Sequence, residues 1–166
     1  MSMKRSILTG WLCSLLALMG ACDFIAQRDL RPGQSTVEEV RKLMGKPGTI
    51  WEERDGSQVF EYARGPEGSE TWMVEIGPDG VYRGMENALA PGNLARVRAG
   101  MSRDDLRRML GKPGSEESFP ALGEVVWTWR VKGDVVATEM FHAHLDAQGR
   151  VVRTSRSPDP NLLKGG

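Results

Sequence analysis

The sequence predicts an α+β protein of two tandem repeats, each a short helix, or helix pair, packed on a roughly three-stranded antiparallel sheet. The first supporting observation is the tetrapeptide Gly-Lys-Pro-Gly, which occurs at 45–48 and again at 111–114. The second is that an amphipathic segment precedes each copy and alternating aromatic segments follow it. Similarity that recurs on this scale indicates two copies of one supersecondary unit.

The N-terminus is interpreted as a lipoprotein signal peptide covering 1–21. Lys4 and Arg5 precede an uncharged, mostly apolar run over 7–21, which is shorter than the roughly 20 residues of a membrane-spanning helix. The run ends in Leu-Met-Gly-Ala-Cys, which resembles a bacterial lipobox. We therefore expect lipid on Cys22 and a chain held at a membrane outside the cytoplasm. An uncleaved N-terminal anchor is the alternative.

The composition argues against several classes of function. Cys13 lies in the predicted signal and Cys22 would carry lipid, so the mature chain would keep no cysteine for a disulfide or a thiolate nucleophile. The 22 basic and 22 acidic residues balance, and a near-neutral chain offers no basic surface for nucleic acid. We expect no nucleic-acid partner and no cofactor.

Each repeat begins with a helix whose start can be read from the sequence. Thr36 and Ser102 are predicted N-caps, because their hydroxyls can accept hydrogen bonds from the first free N–H groups. Glu39 and Asp105 follow three positions later, where a carboxylate can bond back to the cap. The apolar residues at i, i+3 and i+4 then share one face: Val40, Leu43, Met44, and Leu106, Met109, Leu110.

The repeated Gly-Lys-Pro-Gly motif is interpreted as a helix stop. Gly45 and Gly111 are expected to end the helices in the left-handed conformation, and Pro47 and Pro113 prevent the helices from resuming. A phosphate-binding loop is the alternative, but that loop needs Ser or Thr after Gly-Lys and a helix after the motif. Here the motif follows a helix, so the positive end of the helix dipole lies at the wrong end for phosphate.

Alternation of apolar and polar residues predicts about three strands in each repeat. We expect the aromatic face of each sheet to cover the helix and the other face to stay polar and exposed. The predicted strands are 60–62, 72–76 and one beginning at Val81, then 127–131, 141–145 and 151–152.

The predicted domain organisation follows from these elements. The first repeat covers 22–91 and the second covers 92–157, with an Ala-Pro-Gly linker between them. The last residues, 158–166, are predicted to form a flexible tail.

The second copy resembles the SmpA/OmlA (BamE-like) lipoprotein family over 93–102 and 106–113. The shared pattern is Gly-x-Ser/Thr, an apolar position four residues later, Leu-Gly-x-Pro, and aromatic strands. The resemblance implies a lipid-anchored, non-enzymatic accessory scaffold in outer-membrane protein assembly or envelope integrity. The tandem form also resembles the layout of β-lactamase inhibitor proteins, which implies the alternative: a periplasmic inhibitor or ligand-binding module that uses an open sheet face.

The resemblance also implies partners and a location. We expect the chain to contact the membrane through lipid on Cys22 and to bind other envelope proteins, including the β-barrel assembly machine. The outer membrane, facing the periplasm, is the favoured location. Asp23 leaves the inner membrane open, because an Asp directly after the lipidated cysteine tends to retain lipoproteins there in enteric bacteria.

The predicted partner-binding surface is the polar face of the sheets, because the aromatic face is needed to cover the helices. Arg130 is the expected anchor, since binding hot spots favour arginine. The loops at 64–70 and 118–124 are the next candidates. The residues proposed for this face are Glu61, Met73, Glu75, Thr128, Arg130, His142 and His144.

Two enzymatic functions are the alternatives to a binding surface. His142 and His144 lie on one face of a predicted strand, as in some zinc sites, and only carboxylates such as Glu139 or Asp146 could complete the ligand set. A serine hydrolase is disfavoured because the Gly-x-Ser-x-Gly turn does not occur. We expect no metal and no catalytic residue.

Overall fold

The computed structural model describes residues 29–65, 67–133 and 138–162. The predicted signal peptide, the lipidation site at Cys22 and the sorting residue Asp23 lie outside the described residues. Within the described part of the chain, none of the helices combines the length and the apolar character needed to cross a membrane.

The chain forms two successive units with the same order of elements. The first unit is α1 (Val37–Met44), β1 (Thr49–Glu52), β2 (Gln58–Ala63), β3 (Thr71–Ile76) and β4 (Tyr82–Asn87). A one-turn helix, α2 (Pro91–Leu94), leads to the second unit: α3 (Arg103–Leu110), β5 (Ser115–Phe119), a 3-10 turn (Pro120–Leu122), β6 (Glu124–Lys132), β7 (Thr138–Leu145) and β8 (Val151–Pro158).

The sheets confirm the α+β class and correct the number of strands. Each unit holds a four-stranded antiparallel sheet in chain order, β1-β2-β3-β4 and β5-β6-β7-β8. The prediction of about three strands missed β1 and β5, which follow the Gly-Lys-Pro-Gly motifs directly. Both are edge strands that bury little surface, and every residue of β5 is exposed. Such strands carry no alternation of apolar and polar residues, so the pattern gave no signal.

The predicted helix starts are confirmed. The Thr36 hydroxyl accepts from the N–H of Glu39 at 3.3 Å, and the Thr36 N–H donates to the Glu39 carboxylate at 2.8 Å. The matching distances for Ser102 and Asp105 are 3.1 and 2.8 Å. Both repeats therefore begin with a complete capping box.

The helix ends need glycine, but in a different conformation from the one predicted. Gly45 has φ 83° and ψ −159°, and Gly111 has φ 77° and ψ −170°. The expected left-handed helical cap is wrong, because ψ is extended. Positive φ with extended ψ is a region that essentially only glycine occupies. An aromatic side chain holds each end: the Tyr62 hydroxyl donates to the Gly45 carbonyl and the Trp129 ring N–H to the Gly111 carbonyl, both at 3.2 Å.

Each sheet packs its inner face on its own helix, as the alternation predicted. The first core consists of Leu30, Val40, Met44, Phe60, Tyr62, Val74, Ile76 and Tyr82. The second consists of Leu89, Leu94, Val97, Leu106, Leu110, Trp127, Trp129, Val131, Phe141, Ala143, Leu145 and Val151. The aromatic residues of β2, β3, β4, β6 and β7 are therefore packing residues, which leaves the outer faces of the sheets for contacts with other structures.

The predicted flexible tail is wrong for its first residues. Pro158 ends β8, and Asp159 is 2% exposed. The Asp159 carboxylate accepts from the Thr138 hydroxyl at 2.5 Å and from the Arg130 guanidinium at 3.2 Å. A buried carboxylate with two side-chain donors fixes the chain beyond the last strand.

Candidate functional site: the outer face of the second sheet

The two outer faces can be compared position by position. The last glycine of each Gly-Lys-Pro-Gly motif donates its N–H at 2.8 Å, to the carbonyl of Glu61 in the first repeat and of Thr128 in the second. Glu61 pairs across the sheet with Met73, and Thr128 pairs with His142. Glu61 is therefore equivalent to Thr128, and Met73 to His142.

The outer face of the first sheet is covered by the end of helix α3 from the second repeat. Arg107 places its guanidinium 2.5 Å from the Glu61 carboxylate and 3.2 Å from the Thr49 hydroxyl. The N–H of Lys112 donates to the other Glu61 oxygen at 2.9 Å. Glu61 is only 2% exposed, so its predicted place on an open binding face is wrong. It holds the two repeats together instead.

Cation–π contacts extend this contact between the repeats. The guanidinium groups of Arg107 and Arg108 lie 5.2 and 5.1 Å from the ring centre of Trp51. Arg108 also pairs with Glu53 at 2.8 Å. Met73 is buried, at 5% exposure. The polar face of the first sheet is thus largely an internal interface, and only its far part, at Glu75, is exposed.

Arg130, the predicted anchor, also forms its ion pairs within the molecule. It is 8% exposed and pairs with Glu67 from the first repeat and with Asp159. The hydrogen bond to Glu67 is the main cause that raises the pKa of Arg130, against the effect of burial. The pKa of Asp159 is lowered, chiefly by the Thr138 hydroxyl. Arg130 therefore cannot serve as an exposed anchor, and Glu67 and Glu70, from one of the two candidate loops, pair with the second repeat.

The outer face of the second sheet carries the two histidines. His142 places Nδ1 2.9 Å from the Thr128 hydroxyl and Nε2 2.9 Å from the Ser157 hydroxyl. Burial lowers the pKa of His142, and the neighbouring His144 adds to this effect, while Glu117 opposes it. His142 is therefore a neutral, hydrogen-bonded side chain at neutral pH.

His144 forms a second polar row beside the first. Its Nδ1 lies 3.1 Å from the Glu124 carboxylate, and its Nε2 lies 2.9 Å from both the Ser155 hydroxyl and the Arg153 guanidinium. Because a guanidinium only donates, Nε2 accepts from Arg153, and Nδ1 carries the proton and donates to Glu124. Arg153 also donates to Glu124 at 2.8 Å.

The order Ser155, His144, Glu124 resembles a nucleophile, base and acid relay. A base must take the serine proton on Nε2, and that lone pair already accepts from Arg153. The row is therefore better suited to fixing the shape of the face than to nucleophilic catalysis.

The ring nitrogens of the histidines likewise have protein partners, and the carboxylates proposed to complete a zinc site lie elsewhere. Glu139 pairs with Arg156 at 2.9 Å, and Asp146 accepts from two backbone N–H groups in its turn. Within residues 29–65, 67–133 and 138–162, no three metal-binding side chains come together.

These polar rows line a depression with a volume of about 340 Å³. Its edge includes two exposed apolar side chains, Phe119 at 41% and Leu122 at 68%. Glu117 on β5 adds an exposed carboxylate. Exposed aromatic and aliphatic groups beside ordered polar side chains are typical of protein-binding surfaces. The loop at 118–124, a secondary candidate from the sequence, thus borders this depression.

The structure brings together only part of the predicted site. Of the seven residues predicted for this face, Thr128, His142 and His144 line the depression, and Met73 is buried on the first sheet. Glu75 lies on the other sheet, and Glu61 and Arg130 are buried. The apolar rim was missed because Phe119 and Leu122 do not fall in an alternating pattern, although an apolar pair around a proline was a readable signal.

No model of a known protein family matches the sequence, and no curated protein matches it. Two solved structures are similar to the chain. A DUF4309 family protein (YjgB) from Bacillus subtilis is 14% identical, with a TM-score of 0.29, and the match covers 79% of this chain and 83% of that one. A "putative beta-lactamase inhibitor protein" from Streptococcus mutans is 12% identical, with a TM-score of 0.33, covering 84% and 97%.

At these values neither similarity bears on function. The resemblance to the SmpA/OmlA family stays a prediction from the sequence.

Proposed function

We propose that the chain is a non-enzymatic binding module that holds a protein partner on the outer face of its second sheet. This is the alternative raised by the sequence, an inhibitor or ligand-binding module that uses an open sheet face. The site is here confined to the second sheet. One observation carries the proposal: the equivalent face of the first sheet is covered by α3, whereas the depression on the second sheet exposes Phe119 and Leu122. The fold thus already uses this kind of face for packing between its two repeats.

The chemistry of the depression fits a protein surface. Phe119 and Leu122 supply apolar contact area, and the two histidine rows supply hydroxyl and imidazole groups held in fixed positions. Fixed polar groups lose little conformational freedom on binding, so they favour specificity. The exposed area is small, which is consistent with a modest affinity.

The test compares truncation of the apolar side chains at the edge of the depression with truncation of an exposed apolar side chain elsewhere. Phe119→Ser, combined with Leu122→Ser, should reduce crosslinked partner recovery from membranes at least about tenfold, corresponding to loss of roughly 1.4 kcal/mol. Val152→Ser is the control, because Val152 is exposed to the same 41% but lies outside the residues that line the depression. Equal recovery for the truncated and control chains would contradict the proposal.

The proposal includes a lipid anchor at Cys22, which the sequence predicts. Cys22→Ser should release the chain from membranes or leave the signal attached, because serine cannot carry the lipid. One acyl chain gives only marginal membrane binding, whereas several hold firmly. The measurement is detergent partitioning together with the mass of the mature chain. Wild-type partitioning and mass in the variant would exclude this anchor.

The identity of the crosslinked partner separates the two roles raised by the sequence. Components of the β-barrel assembly machine would support the accessory scaffold at the outer membrane. A soluble enzyme would support an inhibitor. Repeating the recovery with separated inner and outer membrane fractions would show which membrane holds the chain.

A further inference from the structure

The corner at the end of α1 is the free counterpart of the corner that joins the two repeats. Gly45 is exposed, and a Cβ there would meet no atom within 4 Å. Gly111 is buried, and a Cβ there would lie 2.7 Å from Thr71 and 3.2 Å from Met73. One corner is thus packed on a sheet, and among the described residues the same corner of the first repeat has no such cover.

The two corners share their chemistry as well as their shape. The helices align from Val37 with Arg103, so Arg41 is equivalent to Arg107, which pairs with Glu61. Lys42 and Lys46 correspond to Arg108 and Lys112. The α1 corner therefore carries three positive charges at the same positions. Its Arg41 is equivalent to Arg107, the arginine that binds the first sheet.

We propose that the outer face of the second sheet binds the α1 corner of a second copy of the chain, an inference that rests on the proposed function. In this contact, Arg41 would bind the second sheet of another molecule, as Arg107 binds the first sheet within one molecule. Within the described part of the chain, each molecule has one uncovered corner, at Arg41, and one uncovered face, at Glu117, so copies would associate head to tail.

Charge and apolar surface are complementary across this contact. The corner brings Arg41 and Lys46 together with Ile50, which is 40% exposed and lines a shallow depression of about 380 Å³ with them. The face brings the exposed Glu117 and the apolar Phe119. In this contact, a basic corner that carries an apolar side chain thus meets an acidic strand that also carries an apolar side chain.

The contact differs from its internal counterpart at one position. Arg130 occupies the place of Ala63, because it pairs with Met140 as Ala63 pairs with Thr71. The larger side chain fills that end of the face, so the second copy lies toward β5. This shift places Arg41 near Glu117, which is equivalent to Trp51 in the register of the sheets.

A contact between two different surfaces does not close on itself. It builds chains or rings, whereas a two-fold contact stops at a dimer. The head-to-tail assembly can therefore be recognised by the size of the species that form when two chains, each lacking a different one of the two surfaces, are mixed.

The experiment uses the full chain purified in detergent, with Lys46→Cys and Glu117→Cys combined and a short thiol crosslinker. We expect a ladder of dimers and larger species on a denaturing gel, and monomer in the unmodified chain, which controls for Cys13 and Cys22. Arg41→Glu in the double-cysteine chain should reduce the crosslinked fraction at least fivefold.

A mixing experiment tests the head-to-tail geometry. Arg41→Ala removes the corner of one chain, and Glu117→Arg removes the face of the other. Each variant should sediment as a monomer alone, and an equal mixture should give dimers and nothing larger. Charge reversal in one chain, Arg41→Glu with Glu117→Arg, should restore the association of the wild type.

The outcomes separate this inference from the proposed function. A double-cysteine chain that gives no crosslinked ladder, together with a wild-type chain that sediments as a monomer, would overturn the inference. If Phe119→Ser with Leu122→Ser still abolished recovery of a different protein, the binding function would stand with another partner. Association that persists in both single variants would also overturn the inference.

Discussion

The outer face of the first sheet is closed, and the equivalent face of the second sheet is open. Both sheets have the same strand order and the same register, including an irregularity after Glu75 and after His144. What differs is the neighbour: α3 follows the first sheet in the chain and covers it, and the last sheet has no third helix among the described residues. Whether a helix packs on the outer face of a sheet therefore decides if that face is available for binding.

The side chains have adapted to these different surroundings. Glu61 and Trp51 on the closed face receive the cations of α3. Their equivalents Thr128 and Glu117 belong to a polar surface with an exposed edge. A buried carboxylate is stable only with a partner, so glutamate is suited to the closed face and a small hydroxyl to the open one.

The largest expected effect comes from breaking the closed face at its ion pair. Glu61→Ala should lower the free energy of unfolding by about 3 kcal/mol or more, because it leaves Arg107 without its carboxylate in a mostly buried setting. Urea unfolding monitored by tryptophan fluorescence measures this loss. Thr128→Ala is the matched variant on the open face and should cost about 1 kcal/mol, the value of one hydrogen bond. Similar losses for the two variants would mean that the faces do not differ as described.

The helix-stop glycines sharpen the same comparison. Gly45→Ala should cost about 1 kcal/mol, from positive φ alone. Gly111→Ala should cost about 2–4 kcal/mol, because its Cβ also overlaps Thr71 and Met73 and overpacking adds about 1–3 kcal/mol. Thermal and urea midpoints of the two variants check this difference. Equal midpoints would show that the α3 corner does not pack on the first sheet.

The aromatic donors to these glycines should show a smaller difference. Trp129→Phe should cost about 2 kcal/mol, because it loses packing volume and leaves the buried Gly111 carbonyl without its donor. Tyr62→Phe should cost about 1 kcal/mol or less, since water can reach the exposed Gly45 carbonyl. Burial raises the pKa of Tyr62 to about 12, so its hydroxyl remains a donor up to strongly alkaline pH. A larger loss for Tyr62→Phe would reverse the assignment of the closed corner.

The smallest expected effect is a pH dependence confined to the open face. The pKa of His142 is lower in the folded chain than its ordinary value, so the unfolded chain binds more protons on acidification. This contribution to stability is complete above about pH 6.5 and is lost as the pH falls toward the lowered pKa. Urea midpoints at pH 7 and pH 5 should therefore differ less in His142→Gln than in the wild type. An equal difference in both chains would show that His142 does not titrate in this way.

The sequence by itself determined the local elements of the fold. Caps at Thr36 and Ser102, stops at Gly45 and Gly111, and the alternation along the strands involve interactions within a few residues, so their signals are complete in short segments. The edge strands escaped since they bury too little surface to impose a pattern.

Only the tertiary structure decided which polar residues are available for binding. Glu61 and Arg130 appear in the sequence as ordinary outward-facing charges on strands. Their burial depends on Arg107, on Glu67 and on Asp159, which lie 46, 63 and 29 positions away in the chain. Local periodicity reports which face of a strand a residue occupies. It cannot report whether another part of the chain covers that face, because that depends on how the two repeats pack.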